Sequence, residues 1–210
     1  MNEVSQTGSP CYEAFDKPIT DNSARTYVIL GVPRGGTSMV AGVARLCGLM
    51  LGDDLPNNHE DVAFNVDSLK RAGQDPFPAI KQTIERRNAE HTVWGWKYPR
   101  AAHYLDEIRS GLRDPRLVVV LRDPVASAGR QVRRHGRDPM EVVREHHQIQ
   151  ARNIDLVSRW QVPSLLVSYE RSIDRPAELV ERLAAFLGLP VPDDPERVRR
   201  FVRPGTYQDV

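Results

Sequence analysis

The sequence predicts an α/β domain, a three-layer sandwich of helices around a central, mainly parallel sheet. Three observations carry this prediction. Tyr27-Val28-Ile29-Leu30 is a β-rich run that breaks into a glycine-rich turn and re-enters as an apolar, small-residue helical segment. Four strand-like stretches alternate with helical ones along the chain. One of them, Leu117-Val118-Val119-Val120-Leu121, is apolar without alternation, the pattern of a strand buried on both faces at the centre of a parallel sheet.

Residues 1–24 are polar and broken by Pro10 and Pro18, so they read as an extended or disordered lead-in to a single domain spanning 25–210. Strand 27–31 is followed by a loop and a helix from Ser38 to Leu49. Leu49-Met50-Leu51, bracketed by Gly48 and Gly52, is a candidate second strand. Asn57 or Asn58 suits the N-cap of a helix running to Arg71, which would put Glu60 and Asp61 in its first turn. Asp75-Pro76 opens another helix, ending near Ala89. Thr92 to Lys97 reads as a strand, and Pro99 turns the chain out of the sheet, leaving Lys97 at a carboxyl end. Ala101 to Arg109 has helical spacing. After the 117–121 strand, Asp123 suits an N-cap and Pro124 a first helical turn. Asp138-Pro139 starts a helix to Trp160, and Ser164 to Ser168 is the last clear strand. Ser172 or Asp174 would cap a helix with Leu179, Val180, Leu183, Phe186 and Leu187 on one face, stopped by Gly188 and Pro190. A short amphipathic piece through Val198 and Phe201 lies in the charged tail.

At 210 residues, 40% apolar and 27% charged, the chain has a globular profile with room for a proper core. Net charge +1 gives no bulk drive toward nucleic acid or membrane, so the cations must act by placement. Lysine occurs only at Lys17, Lys70, Lys81 and Lys97; the other cations are arginines, suited to bidentate anion binding but also the product of a GC-rich genome. Two cysteines, Cys11 and Cys47, form no disulfide framework and suit a reducing cytoplasm. The N-terminus shows no signal-peptide pattern, and no apolar stretch reaches the length of a membrane span. His146-His147 invites a metal reading, but adjacent helical residues point about 100° apart and cannot chelate together, so no metal is expected there.

Gly31-x-x-x-x-Gly36-Thr37-Ser38 is the spacing of a phosphate cradle, in which glycines let backbone N–H groups turn toward an anion at a helix N-terminus. Thr37 stands where nucleoside triphosphatases carry their phosphate-binding lysine, which argues against ATP or GTP chemistry; the cation sits in the loop as Arg34. Lys97 at a strand's carboxyl end is either a solvated lysine or a ligand contact, because that edge is where open parallel sheets bind ligands. Arg122, held at the lip of the central strand, has either an anion to bind or an internal acid to pair with. Glu60 either complements a helix dipole or, like its neighbour His59, serves as a general base.

Taken together, these segments resemble the sulfotransferases that use 3′-phosphoadenosine 5′-phosphosulfate (PAPS), a family with a P-loop nucleotide-kinase-like fold. Gly31-Val-Pro-Arg-Gly-Gly-Thr-Ser38 resembles the 5′-phosphosulfate loop in its bacterial form, and Val118-Val-Val-Leu-Arg-Asp-Pro124 resembles the 3′-phosphate strand. Trp94-Gly-Trp-Lys-Tyr-Pro-Arg100 and the stretch from Val167-Ser-Tyr-Glu170 to Phe186-Leu-Gly-Leu189 are similar to further family segments in the family's order. The resemblance implies that Arg34 and Gly35, Gly36, Thr37 and Ser38 grip the 5′-phosphosulfate, that Arg122 holds the 3′-phosphate, and that Tyr169 lies near the adenine. It brings Lys97 to the sulfuryl group or bridging oxygen and makes the acid of Asn58-His-Glu-Asp61, Glu60, a candidate base, with no metal. The family commonly has a serine eight residues after the strand arginine that binds the same 3′-phosphate; here that position is Arg130, so the resemblance leaves either Arg130, as a substitute anion ligand, or Ser127, the nearest hydroxyl, to complete the 3′-phosphate site. Where cytosolic vertebrate-type members carry a base histidine, this chain has Pro99. The implied activity is sulfuryl transfer to a hydroxyl or amine of a small-molecule or glycan acceptor in the cytoplasm. A degenerate kinase and a non-catalytic nucleotide-binding protein are the alternatives.

Overall fold

The computed structural model describes residues 8–19 and 22–202 of the chain. Among the described residues five strands form one sheet: β1 (Cys11–Ala14), β2 (Arg25–Gly31), β3 (Val93–Lys97), β4 (Pro115–Leu121) and β5 (Ser164–Ser168), in the spatial order β1-β5-β4-β2-β3. Strands β2 to β5 run parallel to one another, and β1 pairs antiparallel with β5 through the register Cys11↔Val167 to Ala14↔Ser164. The expected centre is observed, because β4 is the middle strand. Its side chains alternate between two cores: Val118 and Val120 face one, Leu117 and Val119 the other. Both layers are apolar, which is why the strand shows no hydrophobic alternation.

Helices α1 (Thr37–Leu46), α8 (Pro176–Leu187) and α9 (Pro195–Val202) cover the first face. Helices α3 (Pro76–Glu90), α4 (Leu105–Ile108) and α6 (Pro139–Trp160) cover the second. Shorter or more peripheral helices are α2 (Val66–Arg71), α5 (Pro124–His135) and α7 (Tyr169–Asp174). The helix starts follow local chemistry: the carboxylates of Asp75, Asp123 and Asp138 accept backbone N–H bonds at the N-caps of α3, α5 and α6, each with proline in the first turn. Gly188, at φ 64°, ends α8.

Four local expectations change. Cys11–Ala14, inside the stretch read as a lead-in, is an edge strand: Ser168 donates its N–H to the Pro10 carbonyl at 2.8 Å, and β5 supplies the remaining partners. Leu49–Leu51 is not a strand, although the Met50 carbonyl accepts a 2.8 Å bond from Gly95 N–H beside β3. The segment from Asn57 does not start a helix. Asp61 caps a single 3₁₀ turn, Val62–Phe64, and Asn65 then caps α2. Ser168 rather than Ser172 or Asp174 provides the cap after β5, opening α7, while the N-cap of α8 is Arg175 without a side-chain bond.

Candidate active site

The carboxyl ends of β5, β4, β2 and β3 carry, in spatial order, Tyr169, Arg122, the Val32–Gly36 loop and Lys97. The chain leaves β2 for β3 on one side and β4 for β5 on the other. The gap between β2 and β4 is therefore the topological switch point at which open α/β sheets bind ligands.

The loop is built for close approach. Gly35 N–H bonds the Val32 carbonyl at 2.9 Å across a turn with Pro33 and then Arg34 at its centre. Arg34 has φ 62°, the left-handed value that a type II turn requires at its third residue and usually assigns to glycine. An arginine held there is backbone strain in the glycine-rich loop. Gly36 follows at φ 92° as the N-cap of α1, and a Cβ on it would lie 2.0 Å from Tyr169 Cδ2. The loop thus rests on the Tyr169 ring, a contact that only glycine permits.

Arg122 spans the switch point. Its Nη1 donates to the Arg34 carbonyl at 2.8 Å, and its guanidinium lies 4.1 Å over the Tyr169 ring. Its Nε is buried without a hydrogen-bond partner, with the Glu170 carboxylate 3.7 Å away. An arginine only 10% exposed with an unused buried donor suits an anion. Tyr169, expected near the adenine, is 6% exposed and sandwiched by Arg122 and Gly36, so here it supports both. A cavity of about 1230 Å³ opens from Arg122 and Asp123 toward Ser168, Glu170, Arg171 and the β1 edge.

On the other side of the loop, Lys97 is 1% exposed. Its ammonium donates to Glu60 Oε1 at 2.9 Å, the Asn58 carbonyl at 3.0 Å and Ser38 Oγ at 3.3 Å, so all three of its donors are directed. Ser38 Oγ in turn donates to the Asn58 carbonyl at 2.9 Å. Burial pushes the Lys97 pKa below the ordinary lysine value; the Glu60 carboxylate opposes this, and the nearby Arg34 guanidinium adds to the lowering. Arg34, Lys97 and Arg122 are thus neighbours along one edge. Glu60 precedes the cap of the 3₁₀ turn, so it does not complement a helix dipole; its partner is Lys97.

The structure does not bring His59 to that group. Its ring packs 5.7 Å from Phe201, and Arg45 Nη1 lies 3.1 Å from its Nδ1. A guanidinium can only donate, so the Nδ1 lone pair is occupied. Arg130 lies on α5, with its side chain outside the described residues. Ser127 is fully buried: its Oγ is 3.1 Å from the Pro124 carbonyl and 2.7 Å from His146 Nδ1, and His146 Nε2 is 2.8 Å from Gln131 Oε1. That hydroxyl joins α5 to α6 instead of lining the switch point. Thr37 is buried as the first residue of α1. Sequence reasoning missed the Asn58 carbonyl, which joins Lys97 to Ser38, and Glu170, which faces Arg122. Neither carries a local spacing signal.

No curated protein sequence matches this chain. Among solved structures it is similar to the sulfotransferase domain from the Synechococcus PCC 7002 olefin synthase, at 18% identity and TM-score 0.58, covering 91% of this chain and 94% of that one. It is also similar to a sulfotransferase from Alicyclobacillus acidocaldarius, at 16% identity and TM-score 0.51, covering 85% and 89%. Sulfotransferase STF9 from Mycobacterium avium aligns at 13% identity and TM-score 0.52, covering 86% of this chain and 68% of that one. At these identities the likeness is one of fold. The family model described as "Sulfotransferase family" matches residues 53–193, a span that holds Glu60, Lys97, Arg122 and Tyr169 but begins after the glycine loop. Covering well over half of the residues, that match establishes that the chain belongs to the sulfotransferase family.

Proposed function

We propose that the protein transfers a sulfuryl group, in line, from PAPS to a hydroxyl or amine of a small-molecule or glycan acceptor. The observation that carries this reading is the single row of cations across the switch point. Arg122 has a buried unused donor on one side of the Arg34 loop, and Lys97 meets Ser38 on the other. That row matches a donor with two anionic groups, a 3′-phosphate toward Arg122 and a 5′-phosphosulfate toward the loop and α1, whose N-terminus has no acidic residue in its first turn.

The chemistry follows from charge. The sulfur–oxygen bond to the donor phosphate breaks as a sulfur bond to the acceptor forms, and the departing electron pair stays on the phosphate. Lys97, beside Ser38, and Arg34, close enough to act on the Lys97 ammonium, supply the positive charge that stabilises it. Glu60 takes the acceptor proton, a role worth on the order of 10²–10⁴-fold. Its carboxylate is ion-paired with Lys97, so it becomes available as the ammonium turns to the phosphate oxygen. The cytoplasm is the location this reading assigns; Cys11 and Cys47 are both buried as free thiols.

Calorimetry of adenosine 3′,5′-bisphosphate (PAP) against ATP with Mg²⁺ tests the donor. PAP is expected to bind more tightly. Tighter ATP binding would replace the proposal with the kinase-like alternative, for which the lysine position occupied by Thr37 already speaks poorly. PAP binding without turnover of labelled PAPS across an acceptor panel would favour a non-catalytic nucleotide-binding protein.

A further inference from the structure

Glu60 is flanked by two residues anchored in opposite cores. On one side, His59 is 1% exposed, contacts Arg45 of α1 and packs against Phe201, which belongs to the core over α1 and α9. It does so with φ 57°, a left-handed conformation uncommon outside glycine, though histidine and asparagine adopt it more readily than most residues. On the other side, Asp61 is paired with Arg87 of α3 at 2.5 Å, with side chains only 5% and 2% exposed. The Arg87 guanidinium lies 5.5 Å from the rings of both Phe64 and Trp94, in the core on the opposite face. Asp61 also accepts the Ala63 N–H at 3.0 Å, and Glu60 N–H is tied to Asn58 Oδ1 at 3.1 Å. Replacing a buried ion pair by apolar groups of similar volume is often neutral or stabilising, so stability alone gives little reason for Asp61 and Arg87. What the two anchors accomplish together is geometric. With its neighbours drawn into separate cores, Glu60 keeps one direction for its own side chain, toward Lys97.

We infer that His59 and the Asp61–Arg87 pair are positioning residues that hold the Glu60 carboxylate against Lys97. The inference rests on the reading of Glu60 as the base, but it can be read without turnover. With only four lysines, the Lys97 Cε resonance of ¹³C-lysine-labelled protein can be assigned by its loss in Lys97→Arg and titrated by NMR. Glu60→Gln is expected to lower the Lys97 midpoint, since the carboxylate that retains its proton is gone. The paired variant Asp61→Leu/Arg87→Met, which alters neither Glu60 nor Lys97, is expected to move the midpoint in the same direction. Combining it with Glu60→Gln moves it no further. PAP affinity by calorimetry stays within about twofold, as expected for a site acting only through Glu60. A wild-type Lys97 titration in the folded paired variant, or shifts that add in the combination, would overturn the inference. If the paired variant loses its cooperative melt, Arg87→Lys and His59→Asn carry the same test, since asparagine tolerates the left-handed backbone. In them, a wild-type midpoint overturns the inference and a lowered one supports it. A wild-type protein that does not bind PAP removes the donor reading and the base role of Glu60 with it, whatever Lys97 shows.

Discussion

Replacing Arg122 with alanine separates the two ends of the proposed donor. The side chain has two features in the structure: a buried Nε without a hydrogen-bond partner, 3.7 Å from the Glu170 carboxylate, and a tie to the loop through the 2.8 Å bond to the Arg34 carbonyl and its stacking on Tyr169. Loss of a hydrogen bond to a charged phosphate costs about 1.5–3 kcal/mol, and loss of the tie to the loop about 0.5–1.5 kcal/mol. The first loss applies only to a ligand with a 3′-phosphate; the second applies to any ligand of the loop. PAP affinity should therefore fall by both, and adenosine 5′-phosphosulfate, which lacks the 3′-phosphate, by about 2–10-fold. The ratio of the two losses is then about 10–150-fold. Parallel calorimetric titrations measure it, with Arg122→Lys as a control that retains charge but lacks the planar fork needed to bond Arg34 and stack on Tyr169 together. Equal losses for the two nucleotides would show that Arg122 serves only to hold the loop, and the 3′-phosphate assignment would be withdrawn.

Four further outcomes follow from the same geometry. Glu60→Gln should lower PAPS turnover on the order of 10²–10⁴-fold while PAP affinity is retained, and wild-type turnover would exclude Glu60 as the base. Gly36→Ala places a methyl 2.0 Å from Tyr169 at φ 92°, so it should both destabilise the fold, by more than about 1 kcal/mol in a melt, and weaken PAP binding; an unaffected variant would mean the loop does not rest on that ring. Ser127→Ala removes a buried partner of His146 and should cost about 1–3 kcal/mol of stability with PAP affinity unchanged, whereas a selective loss of PAP binding would restore Ser127 as a phosphate ligand. Burial is the main influence lowering the His146 pKa below 6.5, with Arg100, Arg137 and Arg122 acting in the same sense and Glu145 against it. Its neutral form is the folded one, so its contribution is complete above pH 6.5 and is lost as pH falls toward the folded value. The slope approaches about 1.4 kcal/mol per pH unit, and His146→Asn should flatten that part of a denaturation-versus-pH curve.

Much of the frame was legible because it depends on residues adjacent in the chain. The turn from β2 into α1, the Asp-Pro starts of α5 and α6, the glycine stop of α8 and the doubly buried β4 each follow from a few consecutive residues. The row of candidate ligands was legible for a related reason, since strand ends in a parallel sheet share one edge wherever the strands lie. The placement of Glu60 was not. A local reading put it in a first helical turn, but the Asp61 carboxylate is committed to Ala63 N–H and to Arg87, and the helical start is displaced past it. Ser127 likewise looked available for a phosphate until α6 brought His146 against it.

The sequence by itself determined the α/β class, the central strand and which side chains stand at the strand ends, because backbone propensity, capping and burial patterns act over a few residues. Only the tertiary structure decided strand order, the recruitment of Cys11–Ala14 to the sheet and the pairing of groups far apart in the chain. Lys97 meets Glu60 across 37 positions, and Arg122 meets the Arg34 carbonyl across 88. Such contacts arise where separate elements pack, and the desolvation that gives them their strength exists only once those elements have closed over them.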